Sequence, residues 1–143
     1  MLASPCAGSC PSLRTVASFL LSYDPTRDIL WEMGGTPSGF HVFPESTLVA
    51  LQPKTPEPSD VSALQLTGGA YGREYGACYI AGAFVGPCAV AINPSSAPVA
   101  FPYVQYQHSV VLSGADVLEG GTISTTGAAP TTLGATEAAI VFP

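Results

Sequence analysis

Charge is what this sequence most lacks. Four Lys and Arg and ten Asp and Glu make up only 10% of the 143 residues, and the net charge is -6; about a quarter charged is usual for globular proteins. The basic residues Arg14, Arg27, Lys54 and Arg73 are scattered along the chain. Phosphate contacts dominate affinity for nucleic acid, so four isolated cations exclude direct nucleic-acid binding. A surface this poor in charge is largely neutral, and neutral apolar surface is normally covered by something.

From Tyr75 to Ala115 there is no Asp, Glu, Lys or Arg. A run of that length reaches across a bilayer core of about 30 Å. A spanning helix must satisfy its backbone internally, yet Gly82, Gly86, Pro87, Asn93, Pro94, Pro98 and Pro102 interrupt this run every few residues, which leaves only strand-sized pieces. An export pattern is lacking as well. The first positive charge is Arg14, the apolar stretch Val16 to Leu21 is short and contains Ser18, and no small-x-small cleavage pattern follows. The mature chain is expected to begin near Met1.

Catalytic vocabulary is equally thin. Of the two histidines, His41 stands in "GFHVF" and His108 in "YQHSV", both in expected strands, where packing or hydrogen bonding is the commoner role. The stretch around Ser38, "GGTPSGF", lacks the G-x-S-x-G spacing of a nucleophile elbow. "TGGAYGREYG" lacks the Lys-Ser/Thr ending of a phosphate loop, so Gly68, Gly69, Gly72 and Gly76 are read as turn glycines. Among the ten acids Asp24, Asp28, Glu32, Glu45, Glu57, Asp60, Glu74, Asp116, Glu119 and Glu137, half (Asp24, Glu45, Glu57, Asp60 and Glu119) adjoin Pro, Gly or Ser, where solvated turn acids belong, and no glycosidase pair is expected. No enzyme, cofactor or metal site follows from these residues.

The four cysteines leave choices open. Cys6 and Cys10 are spaced C-x3-C, and Cys78 and Cys88 flank "GAFVGP" with no histidine beside either pair, which disfavours zinc. Cys78 and Cys88 either face each other across a hairpin or serve as small buried hydrophobes; three pairings are open to the four cysteines, and an intracellularly assembled protein could keep all of them reduced.

What the chain does have is many short apolar runs between Gly and Pro punctuators. "ACYIAGAF", "CAVAIN", "VAFPYVQYQ" and "HSVVLSG" fill the charge-free run. They read as strands covered on both faces. "DILWEM", "GFHVF", "STLVALQ", "VSALQLT", "DVLEGGTISTTG" and "EAAIVF" extend the pattern. Short strands at intervals of roughly 8–12 residues predict an all-β fold, a sandwich or barrel of antiparallel strands. One short N-terminal helix is expected in "PSLRTVASFLLSY", with Leu13, Val16, Ala17 and Leu20 on one face, Ser12 as cap and Asp24-Pro25 as stop; a strand through Thr15, Val16 and Phe19 is the competing reading. The organisation expected is an N-terminal arm over residues 1–12 and one β domain over 13–143. "PKTPEPSD", Pro53 to Asp60, is a Pro-rich extended loop, read either as an ordered crossing of the domain or as an arm to a neighbouring subunit.

A small, charge-poor β domain without chemistry suits assembly, because neutral apolar surface is useful when buried between subunits. The order of "DILWEMGG", a proline-rich segment, "CAVAIN", "SVVLSG" and a terminal "EAAIVF" resembles the head-decoration or cement proteins of tailed bacteriophages, over about half the chain. The cysteines and the Cys78 to Phe101 block depart from that pattern. The resemblance implies a virion structural protein, assembled in the host cytoplasm, that clamps a capsid or another part of a particle. Its partners would be copies of itself, as a homo-oligomer, and a major capsid or other virion protein. Expected contact residues are Trp31, Pro53, Pro56, Pro58, Phe84, Tyr103 and Tyr106. The rival is a secreted or cell-surface β-sandwich binding module, an adhesin or carbohydrate-binding domain, whose exposed aromatics would include Trp31, Tyr71, Tyr75 and Tyr79, and which formed disulfides would favour.

Overall fold

The computed structural model describes residues 12–28, 47–113, 122–126 and 128–143. In chain order the elements are α1 (Ser12–Ser22), β1 (Val49–Pro53), a 3-10 turn (Val61–Leu64), β2 (Tyr71–Ile80), β3 (Ala83–Ile92), β4 (Val99–Ala100), β5 (His108–Ser113), β6 (Thr122–Thr126), β7 (Thr132–Leu133) and β8 (Ala138–Phe142). Among the described residues, the fold is all-β with one short helix. Six strands form an antiparallel sheet in the order β1-β2-β3-β8-β5-β6, and β4 and β7 pair as a separate two-stranded ribbon.

The middle of the sheet explains the apolar composition. Ala89, Val90 and Ala91 of β3 pair with Val141, Ile140 and Ala139 of β8. Successive side chains alternate faces: Val90, Ile140 and Phe142 enter a cluster with Val16, Ala17, Leu20 and Leu21 of α1. Ala89, Ala91, Ala139 and Val141 enter a second cluster with Phe101, Tyr103, Tyr106 and Leu133. Both faces are therefore covered. Each fully buried large aliphatic side chain contributes about 1.5–3 kcal/mol.

Among the described residues, the strands form neither a closed barrel nor a full sandwich. β1 and β6 end the sheet as edges, and the covering layers are one helix on one side and a short ribbon with an aromatic segment on the other. Several expected strands change type. "VSALQLT" holds the 3-10 turn, capped by Asp60, whose carboxylate accepts from Ser62 N at 2.7 Å. In "VAFPYVQYQ" only Val99–Ala100 is strand; past Phe101 the chain packs its aromatics inward without pairing. Gly86-Pro87 is not a turn but lies inside β3, where Gly86 at φ 87 takes up a register shift. The turn is at Ala81 and Gly82, both at positive φ (50 and 79) between the paired Ile80 and Ala83, a two-residue loop that matches the strand twist. Gly68 and Gly69 are turn glycines at φ 98 and 93. Gly72 and Gly76 sit in β2, where a Cβ at Gly72 would fall 2.6 Å from both Leu66 and the Tyr103 hydroxyl.

Helix α1 forms where its spacing predicts it and presents Val16, Ala17, Leu20 and Leu21 to the sheet. It stops at an Asp24 turn, in which the Asp24 carboxylate accepts from Thr26 N and Thr26 Oγ1 at 2.8 and 2.7 Å and from Arg27 Nε at 2.8 Å. Those hydrogen bonds, Thr26's first, hold the Asp24 carboxyl below its usual range. Among the described residues, no helix is long and apolar enough to cross a membrane.

Candidate interaction site

The two ends of the β2–β3 hairpin differ in chemistry. At the N-terminal half of β2, Arg73 and Glu74 gather the polar groups. Arg73 is 2% exposed, and its guanidinium donates to the carbonyls of Leu21 (3.3 Å), Tyr23 (2.7 Å) and Thr55 (3.0 Å). It thus satisfies the Leu21 carbonyl in the last turn of α1 and the Tyr23 carbonyl just past it, and sits at the negative end of the helix dipole. The Tyr75 ring lies 5.5 Å from the guanidinium carbon, and the Tyr75 hydroxyl donates to the Leu20 carbonyl. Arg73 Nε, also buried, has no partner among the described residues. Glu74 accepts from Tyr106 at 2.8 Å and pairs with Lys54 at 3.2 Å.

The Pro53 to Asp60 loop is fastened to this same end. Lys54 N donates to the Glu74 carbonyl at 2.9 Å, Arg73 holds Thr55, Glu57 pairs with Arg27, and Asp60 caps the 3-10 turn. It is an ordered crossing of the domain, with Pro53 and Pro58 half-buried and Pro56 exposed.

The other end of the hairpin is free of charge. Five residues beyond Glu74, roughly 15 Å along the strand, Tyr79 pairs with Phe84 on β3 and with Val49 on β1. Cys78 and Ile80 point to the helix side, so the alternation sends Tyr79 and its two partners to the opposite face, past the reach of the aromatic segment. Phe84 is 62% and Val49 41% exposed, and Tyr79 is half-buried. The Tyr79 and Phe84 rings lie 5.3 Å apart at 57°. With exposed Ala81, Gly82 and Ala83 at the turn, they form an apolar tip. Val61 and Val104 are also exposed, but nothing ties them to this surface, and single exposed valines are ordinary.

Of the six expected contact residues that are described, only Phe84 stands at this tip. Tyr103 and Tyr106 are 7% and 6% exposed. They pack inside the second cluster as T-shaped neighbours, Phe101 to Tyr103 at 6.1 Å and Tyr103 to Tyr106 at 6.3 Å. A strand would have turned one of the two faces outward; this irregular segment folds its rings onto the sheet instead. Burial first, and Glu74 second, raise both phenols well above their usual range. The rival's aromatic face fares similarly, since Tyr75 is fully buried and Tyr71 is packed against the helix-side core. Trp31, His41, Ser38, Cys6, Cys10 and the arm up to residue 11 lie outside the described residues. Sequence reading missed Val49 and the pairing of Tyr79 with Phe84; "YIAGAF", apolar residues around a two-residue turn, carries the signal.

Cys78 and Cys88 are joined in a disulfide, with Cα atoms 6.0 Å apart and side chains 2% and 1% exposed. Asn93, fully buried, donates to the carbonyls of Ala97, Leu133 and Gly134 at 2.7, 3.2 and 2.8 Å and accepts from Ser95, which anchors the loop after β3. His108 stacks on Phe142 at 5.4 Å. Among the described residues, no three His, Cys, Asp or Glu side chains are placed to hold a metal ion. An open depression of about 410 Å³ beside Ser109, Pro130 and Glu137 is lined mainly by apolar residues, four of them alanines.

No family model matches the chain, and neither a curated protein nor a solved structure is similar enough to count as a match.

Proposed function

We propose that this chain is a non-catalytic structural subunit of a viral particle, which decorates or cements a capsid or another part of the particle through apolar contacts. Its partners are copies of itself and a major capsid or other virion protein. The observation that carries the reading is the uncharged tip of Val49, Tyr79 and Phe84, set at the end of the hairpin away from the ion pairs. Chains of net charge -6 repel one another, and two of them approach at least cost where neither bears a charge. A patch of a few side chains is the size of a hot spot and falls short of the roughly 800 Å² per partner of a standard interface. One such contact is weak, and repetition by symmetry makes it strong.

The buried disulfide favours a second reading, the secreted or cell-surface binding module, because disulfides persist in oxidising compartments and are rare in the cytosol. Mass spectrometry of purified virus-like particles and of the particle-free culture fluid separates the two. The chain in fixed stoichiometry with a shell protein supports the first. Its presence only in particle-free fluid overturns the first and supports the second.

A further inference from the structure

Tyr75 and Cys88 are directly paired across the β2–β3 hairpin. The Tyr75 hydroxyl bonds to the Leu20 carbonyl of α1, so Cys88 lies beside the point where the helix is pinned to the sheet. Cys78, on the far side of the register shift, pairs with Gly86. Both sulfurs belong to the buried cluster that α1 completes with Val16, Ala17, Leu20 and Leu21. The disulfide thus joins the two strands across their irregular stretch, where a slip of one residue would turn Tyr79 and Phe84 to the other face.

We propose that the Cys78–Cys88 disulfide is a redox lock on the register of this hairpin and that helix α1 is its lid. A reductant reaches the sulfurs only when α1 leaves the sheet. The chemistry is thiol–disulfide exchange with a dithiol. One thiolate of the reductant attacks a cysteine sulfur, the S–S bond breaks, and a mixed disulfide forms while the other cysteine leaves as thiolate and takes up a proton. The second reductant thiol then displaces the first cysteine, so two electrons and two protons reach the protein and the reductant ends as a cyclic disulfide. The lid is suited to opening by itself: an 11-residue helix is marginal without its packing, and α1 is held by one apolar face, Arg73 and Tyr75. The inference does not depend on the assembly reading.

The test is the rate at which dithiothreitol reduces this bond in the folded full-length chain, with thiols trapped by N-ethylmaleimide and peptides mapped by mass, so that Cys78 and Cys88 are followed apart from Cys6 and Cys10. Leu20→Ala weakens the docking of α1, and Leu133→Ala is an equivalent truncation in the opposite cluster. Reduction of Leu20→Ala roughly tenfold or more faster than wild type, with Leu133→Ala within about twofold of wild type, is the expected result. Should Leu20→Ala fail to fold, Leu20→Val gives the same order with smaller amplitude. A rate insensitive to the Leu20 change, or equal acceleration by both truncations, overturns the proposal: the first means the sulfurs are reached without the helix moving, the second that they are reached by global unfolding.

Discussion

Tyr79 and Phe84 face each other across the β2–β3 hairpin, ring centroids 5.3 Å apart, on the part of the sheet that no other described element covers. Phe84 contributes surface rather than core. Phe84→Ser should therefore leave the unfolding free energy from urea titration within about 0.5 kcal/mol of wild type. A larger loss would place Phe84 in the fold and not at a contact surface.

The turn that presents this pair is strained. Ala81 holds φ 50, a region that costs a non-glycine residue about 1–2 kcal/mol, less for Asn. Ala81→Asn creates the Asn-Gly pair that such turns favour and should raise stability by roughly 0.5–1 kcal/mol, read as a higher melting temperature with unchanged secondary structure.

Arg73 ties α1, the 53–60 loop and β2 together. Arg73→Ala leaves the carbonyls of Leu21, Tyr23 and Thr55 without their donor, and at about 1–3 kcal/mol for each group left buried the loss should be 3 kcal/mol or more by denaturant unfolding. Arg73→Lys, which carries the charge but not the fork, should recover only part of it.

The buried phenols predict alkaline instability. Burial pushes Tyr75 from its usual 10.0 up to about 12, so the folded state keeps the phenol neutral where the unfolded chain ionises. The resulting stability is complete below pH 10 and is lost as pH rises to about 12, by roughly 3 kcal/mol for this residue. Tyr103 and Tyr106 shift the same way. Melting temperature should fall steeply above pH 10, with these three of the six tyrosines ionising only as the protein unfolds, followed by tyrosinate absorbance. Tyr75→Phe should make that fall shallower.

Much of this fold can be read from the sequence because its signals are local. The helix follows from Leu13, Val16, Ala17 and Leu20 at helical spacing. The double-sided burial of β3 and β8 follows from apolar residues at every position of "CAVAI" and "AAIVF". The errors arose where tertiary context decides. Gly86-Pro87 looks like a stronger turn than Ala81-Gly82, but the shifted pairing of Cys78 with Gly86 absorbs it within β3. "FPYVQYQH" has the composition of a strand, yet its rings close over the exposed face of β3 and β8, so Tyr103 and Tyr106 are core. The tip itself depends on Val49 of β1 arriving beside Tyr79, a pairing across thirty residues that no local pattern announces.

The most direct test of the account is the mass of wild type and Phe84→Ser in solution, by size-exclusion chromatography with light scattering over a dilution series. The wild-type mass should rise above the 14.6 kDa monomer as concentration increases, and Phe84→Ser should stay near it. A wild type that remains monomeric at every concentration, or a Phe84→Ser chain that associates as wild type does, would contradict the account.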